Sequence, residues 1–273
     1  MININNLSFG YRKGQEVLKN ISLTLPEGHV YGLLGQNGVG KSTLLKLLSG
    51  ALLGKGEYTI SGLDPRKRQP ELQEQVRLVP ENEAIFHNTI YELAKVTAPL
   101  YPNFRQDLLE QALQEFEVPA TQKLTTMSLG QQKKALISLS LACGCPNLFM
   151  DEPTNGMDIP SKSSFRRIVA SIADEKQSII ISTHQVDDLE GLIDYVIIMS
   201  NSGVLLADSL DNIGRRFTFG QIDPDHLEDV IYYEPSLRGA VGVCYNKTGE
   251  DMPVDVKLLF TAVVKNPKAF QNV

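Results

Sequence analysis

The sequence predicts an α/β protein: a mostly parallel, helix-covered sheet joined to an antiparallel β subdomain and a small helical subdomain, with a small C-terminal α+β extension. Three observations predict it. Apolar runs at residues 148–150, 178–182 and 195–199 alternate with helical patterns near 130–143, 161–175 and 186–193, the alternation that builds a parallel sheet. Ile2, Ile4, Ile21, Leu23 and Leu25 recur at period two, as the strands of a half-buried antiparallel sheet do. The apolar run 30–34 passes through a glycine-rich loop into a helical pattern at 43–53.

In chain order, Pro26-Glu27-Gly28 turns the antiparallel strands into the run 30–34. The helix after the glycine-rich loop is expected to close at Gly54–Gly56, followed by strands at 57–61 and 76–80, the latter ending in Pro80. Residues 90–96 and 108–116 carry helical spacing punctuated by Pro99, Pro102 and Pro119, so a helical subdomain is expected over about residues 87–143. Composition shifts after Phe217. The expected division is a main domain at 1–217 and an accessory region at 218–273, with strand-like runs at 230–233 and 239–245. A last apolar segment, 254–264, has the length of a helix, although its valines allow a strand.

Composition narrows the function. In 273 residues, 42% apolar content supplies ample core. No stretch approaches the roughly 18 uninterrupted apolar residues of a membrane span. The start, Met1-Ile2-Asn3-Ile4-Asn5-Asn6, lacks the basic segment and apolar core of a signal peptide, and three cysteines, Cys143, Cys145 and Cys244, cannot all pair within the chain, so the expected location is cytosolic. Cys143-Gly144-Cys145 offers two ligands with no second cluster, insufficient for a metal site, and reads as small residues packed before a core strand. A net charge of −6 disfavours nucleic acid as the main partner, because backbone phosphates call for a basic face.

The glycine-rich loop is Gly35-Gln36-Asn37-Gly38-Val39-Gly40-Lys41-Ser42, followed by Thr43. It fits Gly-x4-Gly-Lys-Ser/Thr in the strand–loop–helix setting that the pattern requires, which makes the core a P-loop NTPase fold. Consecutive backbone N–H groups point inward and the helix start adds its positive dipole end, so the loop cradles a polyphosphate. Lys41 is expected at the β- and γ-phosphates, with the Ser42 hydroxyl on Mg²⁺. Asp151-Glu152 closes an apolar run, placing two carboxylates at the carboxyl end of a strand, the edge where open α/β sheets bind ligands. Asp151 can hold Mg²⁺, and Glu152 can polarise the water that attacks the γ-phosphorus.

The ordered series Tyr11, Gly35 to Thr43, Glu81, Ser128-Leu129-Gly130-Gln131, Asp151-Glu152, Met157-Asp158 and His184 resembles the nucleotide-binding subunits of the ATP-binding cassette (ABC) transporter family, over about residues 1–217. The resemblance implies an ATP hydrolase using Mg²⁺. Tyr11 would stack on adenine, and Glu81 would ligate Mg²⁺ with Ser42 and Asp151. Ser128, Gly130 and Gln131 would meet the γ-phosphate held by a second cassette, Asp158 would lie at the dimer seam, and His184 would steady the attacking water. It also implies a head-to-tail cassette dimer and a separate transmembrane permease on the cytoplasmic face of the membrane, docked near Glu81 with Ile85 and Phe86 as apolar contacts. Three positions depart from the family pattern: Glu81 replaces the usual Gln, Met127 the first signature Leu, and Leu129 the first signature Gly. These variants resemble the exporters whose permeases are separate chains. A soluble assembly ATPase, like those that build iron–sulfur clusters, would share all these motifs.

Overall fold

The computed structural model describes residues 1–12, 14–82, 89–222, 229–237 and 239–271. Strands β1 (Ile2–Phe9) and β2 (Leu18–Leu25) lead into β3 (Val30–Leu34) and helix α1 (Lys41–Leu48). Then come β4 (Lys55–Ile60), α2 (Pro70–Gln75), β5 (Val76–Val79), α3 (Ile90–Thr97), α4 (Gln106–Glu115), α5 (Leu129–Ala142) and β6 (Asn147–Asp151). The remainder is α6 (Ile159–Ile172), β7 (Ser178–Thr183), β8 (Tyr195–Ser200), β9 (Gly203–Ser209), α7 (Leu210–Arg216), β10 (Phe217–Ile222), β11 (Val230–Ser236), β12 (Gly239–Tyr245), α8 (Val256–Lys265) and α9 (Lys268–Gln271).

The main sheet has the order β5-β6-β7-β3-β8-β9; β9 runs antiparallel at one edge and the other pairings are parallel. Strands β3, β6 and β7 are buried at every residue, which is why they read as continuous apolar runs: helices and the second sheet cover both faces. Because β6, β7 and β3 are parallel neighbours, their carboxyl ends lie side by side, and the chain leaves these ends as Asp151, Thr183 and Leu34. That edge builds the site.

Period two holds in the β2-β1-β4 sheet, where Ile2 pairs with Leu25 and Ile4 with Leu23. These residues bury one face over Leu44, Leu45 and Leu48 of α1. Helices α3, α4 and α5 form the helical part between β5 and β6. Thr89 and Ser128 each start a helix with a reciprocal capping box. Ile85 and Phe86 lie outside the described residues. Cys143 and Cys145 are buried ahead of β6, as small packed residues.

Two expected helices are shorter than their apolar patterns. Helix α1 stops at Leu48, capped at Ser49, because Gly50 takes φ 74°, a left-handed turn that a glycine adopts without penalty. Between 186 and 193 there is only a 3-10 turn, Val186–Leu189. Gly191 at φ 68° redirects the chain there, and one turn suffices to sink Leu189, Leu192 and Ile193 into the core. The edge strand β9, helices α2 and α7, and strand β10 had no strong periodic signal.

The tail's sheet has the order β10-β12-β11. Its apolar segment is the helix α8, opened by Asp255, whose side chain accepts the Leu258 N–H at 2.8 Å. Helical length and the cap outweigh the β preference of its valines. Leu258, Leu259, Ala262 and Val263 pack on the tail's strands and on β8 and β9, in one core with Ile198, Leu206 and Phe217. Among the described residues no helix is long and apolar enough to cross a membrane.

Candidate nucleotide site

The phosphate loop leaves β3 and re-enters order at Lys41, the first residue of α1. Gly40 stands at φ 104°, and a Cβ there would come within 2.5 Å of the Leu18 side chain. Only glycine lets the loop close against β2 while presenting its N–H groups. Gly35 is equally confined, since a Cβ would meet the Met199 carbonyl oxygen at 2.8 Å, and the Val39 side chain is buried beneath the loop. Lys41 is buried; its ammonium donates to the Gly35 carbonyl at 2.7 Å and the Gln36 carbonyl at 3.3 Å, and lies 3.8 Å from Glu152 Oε1. Burial pushes its pKa below the ordinary lysine value, against the opposing pull of Glu152, Asp151 and Glu81.

The carboxylates at the end of β6 have different partners. Asp151 Oδ1 accepts the Ser42 hydroxyl at 2.9 Å and the Ser182 hydroxyl at 2.6 Å. Glu152 Oε1 stands 2.9 Å from His184 Nδ1. Glu152 itself takes φ 48°, a left-handed backbone that is uncommon for a residue with a Cβ and that gathers at functional sites. Its N–H donates to the Ser182 carbonyl at 3.0 Å, so β7 supports the turn that aims the carboxylate. Behind this turn the Thr154 hydroxyl donates to Asp188 Oδ2 at 2.6 Å, and the Lys162 ammonium lies 2.7 Å from Asp188 Oδ1.

These groups surround a pocket of about 530 Å³ lined by Tyr11, Val17, Asn37, Gly38, Gly40, Lys41, Ser42, Thr43, Glu81, Glu152, Asn155 and His184. The Tyr11 hydroxyl is 3.2 Å from Thr43 Oγ1 and its ring sits edge-on to Phe9. Glu81 Oε1 accepts the Asn155 amide at 3.2 Å. Sequence reasoning missed Ser182, Asn155, Val17, Asp188 and Lys162. Ser182 alone had a signal, as a hydroxyl two residues before His184 on a buried strand.

Ser128, Gly130, Gln131 and Asp158 lie elsewhere. Ser128 caps α5, accepting the Gln131 N–H at 3.3 Å while Gln131 Oε1 accepts the Ser128 N–H at 3.0 Å. Asp158 caps α6, accepting the Ser161 N–H at 2.9 Å. Gly130 lines a separate groove with Leu129, Glu81, Lys133 and Gly156.

What converges on this sheet edge suits cleavage of the terminal anhydride of a nucleoside triphosphate, and the fold is that of a P-loop triphosphatase. Residues 18–155 match the family model described as ABC transporter; the chain belongs to that family, as an ATP-binding motor subunit with ABC-type ATPase activity. It is 27% identical over 220 residues to the ABC transporter ATP-binding protein YtrB of Bacillus subtilis, covering 80% of this chain and 75% of that protein. It is 29% identical over 215 residues to the lantibiotic transport ATP-binding protein SrtF of Streptococcus pyogenes, covering 77% of this chain and 92% of the relative. A solved dimeric ATP-binding cassette, in a post-hydrolysis state with ADP and Pi, shares the fold at TM-score 0.67 and 20% identity over 77% of this chain and 98% of its own.

Proposed function

We propose that this ATPase drives an exporter whose permease is a separate chain, through ATP-dependent closure of a head-to-tail cassette dimer on the cytoplasmic face of the membrane. The observation that carries the reading is the separation, within one chain, of the phosphate pocket from the signature residues: neither Ser128 nor Gly130 lines it. Both stand at the start of α5, where N–H groups and a hydroxyl proton are presented outward. Beside them Leu129 and Ile159, at the starts of α5 and α6, are each 83% exposed, apolar surface that a second cassette would cover. Likeness to a lantibiotic transport protein supports a role in transport.

In this reading Lys41 and the loop N–H groups bind the β- and γ-phosphates, and Tyr11 presents its ring to adenine. Glu152 takes the proton of the attacking water, and His184, hydrogen-bonded to Glu152, orients that water. Ser42 and Glu81 line the pocket and Asp151 stands behind Ser42, accepting its hydroxyl, which gives three hard oxygen donors. That set fits Mg²⁺ shared with substrate phosphates better than a resident ion. Bound there, Mg²⁺ would neutralise charge on the β- and γ-oxygens.

Light scattering on Glu152→Gln with Mg-ATP tests the dimer: the variant should bind ATP, hydrolyse it at least about a hundredfold more slowly, and accumulate as a dimer. A species that remains monomeric at high concentration counts against closure. Purification of the tagged chain from detergent-solubilised membranes tests the permease, since a multi-span protein should co-purify. Recovery only in the soluble fraction would favour an assembly ATPase.

A further inference from the structure

Lys133 belongs to none of the motifs singled out in the sequence. It sits in the second turn of α5, and its ammonium donates to the Glu152 carbonyl at 2.5 Å and to the Asn155 carbonyl at 3.3 Å. Those two carbonyls bracket the turn after β6, which is otherwise closed by one long bond from the Asn155 N–H to the Glu152 carbonyl, 3.3 Å. Within this turn Glu152 holds its left-handed backbone, φ 48°. A residue with a Cβ keeps that conformation only when its surroundings over-determine it, and the charged donor on the Glu152 carbonyl adds a charge-assisted bond to the restraints from the Ser182 carbonyl and from Thr154 on Asp188.

The surroundings of Lys133 fit a dedicated role. Its stem is half-buried in the groove of about 250 Å³ that Glu81, Gly130 and Asn155 also line. Burial lowers its pKa, and Glu81, Glu152 and Asp151 oppose that shift. The cation therefore stands among three carboxylates, one of them Glu81, where the family pattern has a neutral amide.

We propose that Lys133 is a positioning residue for ATP hydrolysis: by tying the Glu152 and Asn155 carbonyls to α5, its ammonium holds the Glu152 carboxylate against His184. The proposal rests on Glu152 being the base. It also makes α5 a mechanical link, since the helix that begins at Ser128 and Gly130 grips the base one turn further on. A second cassette seated on that helix start would bear directly on Glu152.

Steady-state ATPase assays of the full chain test this, with Lys133→Met, Lys133→Arg and Glu152→Gln in parallel and binding of a fluorescent ATP analogue as the control for folding. Lys133→Met should lower kcat at least about tenfold with KM within about threefold, the pattern of an interaction that matters in the transition state and not in ground-state binding. Lys133→Arg, which keeps a charged donor, should recover most of the loss. Adding Glu81→Gln to Lys133→Met should recover part of it, by removing the carboxylate left without its cation. Wild-type kcat in Lys133→Met, loss of nucleotide binding in step with turnover, or an Arg variant as impaired as Met would overturn the proposal. If Glu152→Gln itself hydrolyses ATP normally, the reading of the base falls first and takes the proposal with it; a dead Glu152→Gln beside a fully active Lys133→Met sinks the proposal alone.

Discussion

Ser182 donates its hydroxyl to Asp151 Oδ1 at 2.6 Å, across a parallel register that places the two residues side by side on β7 and β6. Both are buried, and the same carboxylate oxygen receives the Ser42 hydroxyl from the phosphate loop. Two strand ends and the start of α1 thus meet on one oxygen, and the orientation of Asp151 is decided by how the sheet and that helix pack.

Ser182→Ala should lower stability by about 1–3 kcal/mol, the cost of leaving a buried charged acceptor short of a donor. It should also raise the Mg²⁺ concentration needed for half-maximal ATPase activity, by freeing the Asp151 carboxylate to rotate. Urea denaturation and an activity titration with Mg²⁺ measure the two effects; a variant unchanged in both would remove Ser182 from the site.

Gly130→Ala separates folding from assembly. A Cβ there meets only the Gly156 carbonyl oxygen, at 3.7 Å, and the position is helical. The chain itself therefore tolerates alanine, which should stabilise α5 by up to about 1 kcal/mol. Close approach of a second cassette's phosphates would not tolerate it, so ATP-induced dimerisation and turnover should fall while the melting temperature holds or rises. Normal turnover in this variant would place the second cassette elsewhere.

Leu259→Ala probes the tail. Leu259 is fully buried in the core that α8 shares with β8 and β9, so the variant should lose about 2–5 kcal/mol in chemical denaturation. ATP affinity should stay within about twofold, because none of the described tail residues lines the phosphate pocket. A much smaller loss of stability would mean that the accessory region folds apart from the cassette. By the same argument, truncation after Phe217 would strip the cover from buried Ile213 and Phe217, so it should cost stability before it costs nucleotide binding.

Lys41 has a pKa below its ordinary 10.5 because it is buried. As pH rises through that lowered value the free protein loses the cation that faces the phosphates, so ATP affinity should weaken below pH 10.5. In the same interval the unfolded chain still holds the proton, so this residue's contribution to folding stability rises with pH. Fluorescence titrations of ATP between pH 7 and 10 should show the affinity loss in the wild type and a weak, flat profile in Lys41→Met. A wild-type profile that is equally flat would show the ammonium unperturbed.

Much of this protein was legible in its residues, because the signals are local. A phosphate loop needs glycine where a Cβ would collide, as at Gly40 against Leu18, and the demand is written at one spacing. The strands β3, β6 and β7 are buried on both faces, so they stand out as unbroken apolar runs, and the residues at their ends, Asp151, Glu152 and His184, could be named before any contact was known. Helical length was less legible, since Gly50 and Gly191 end helices within apolar stretches that the core fills from loops. Relations between distant segments were decided only by tertiary structure. The strand order brings Ser182 beside Asp151, the packing of α5 lays Lys133 on the turn after β6, and α8 joins the cassette core instead of standing apart. Such contacts depend on long-range register and on which buried polar groups find partners, and the spacing of residues along one chain carries no record of either.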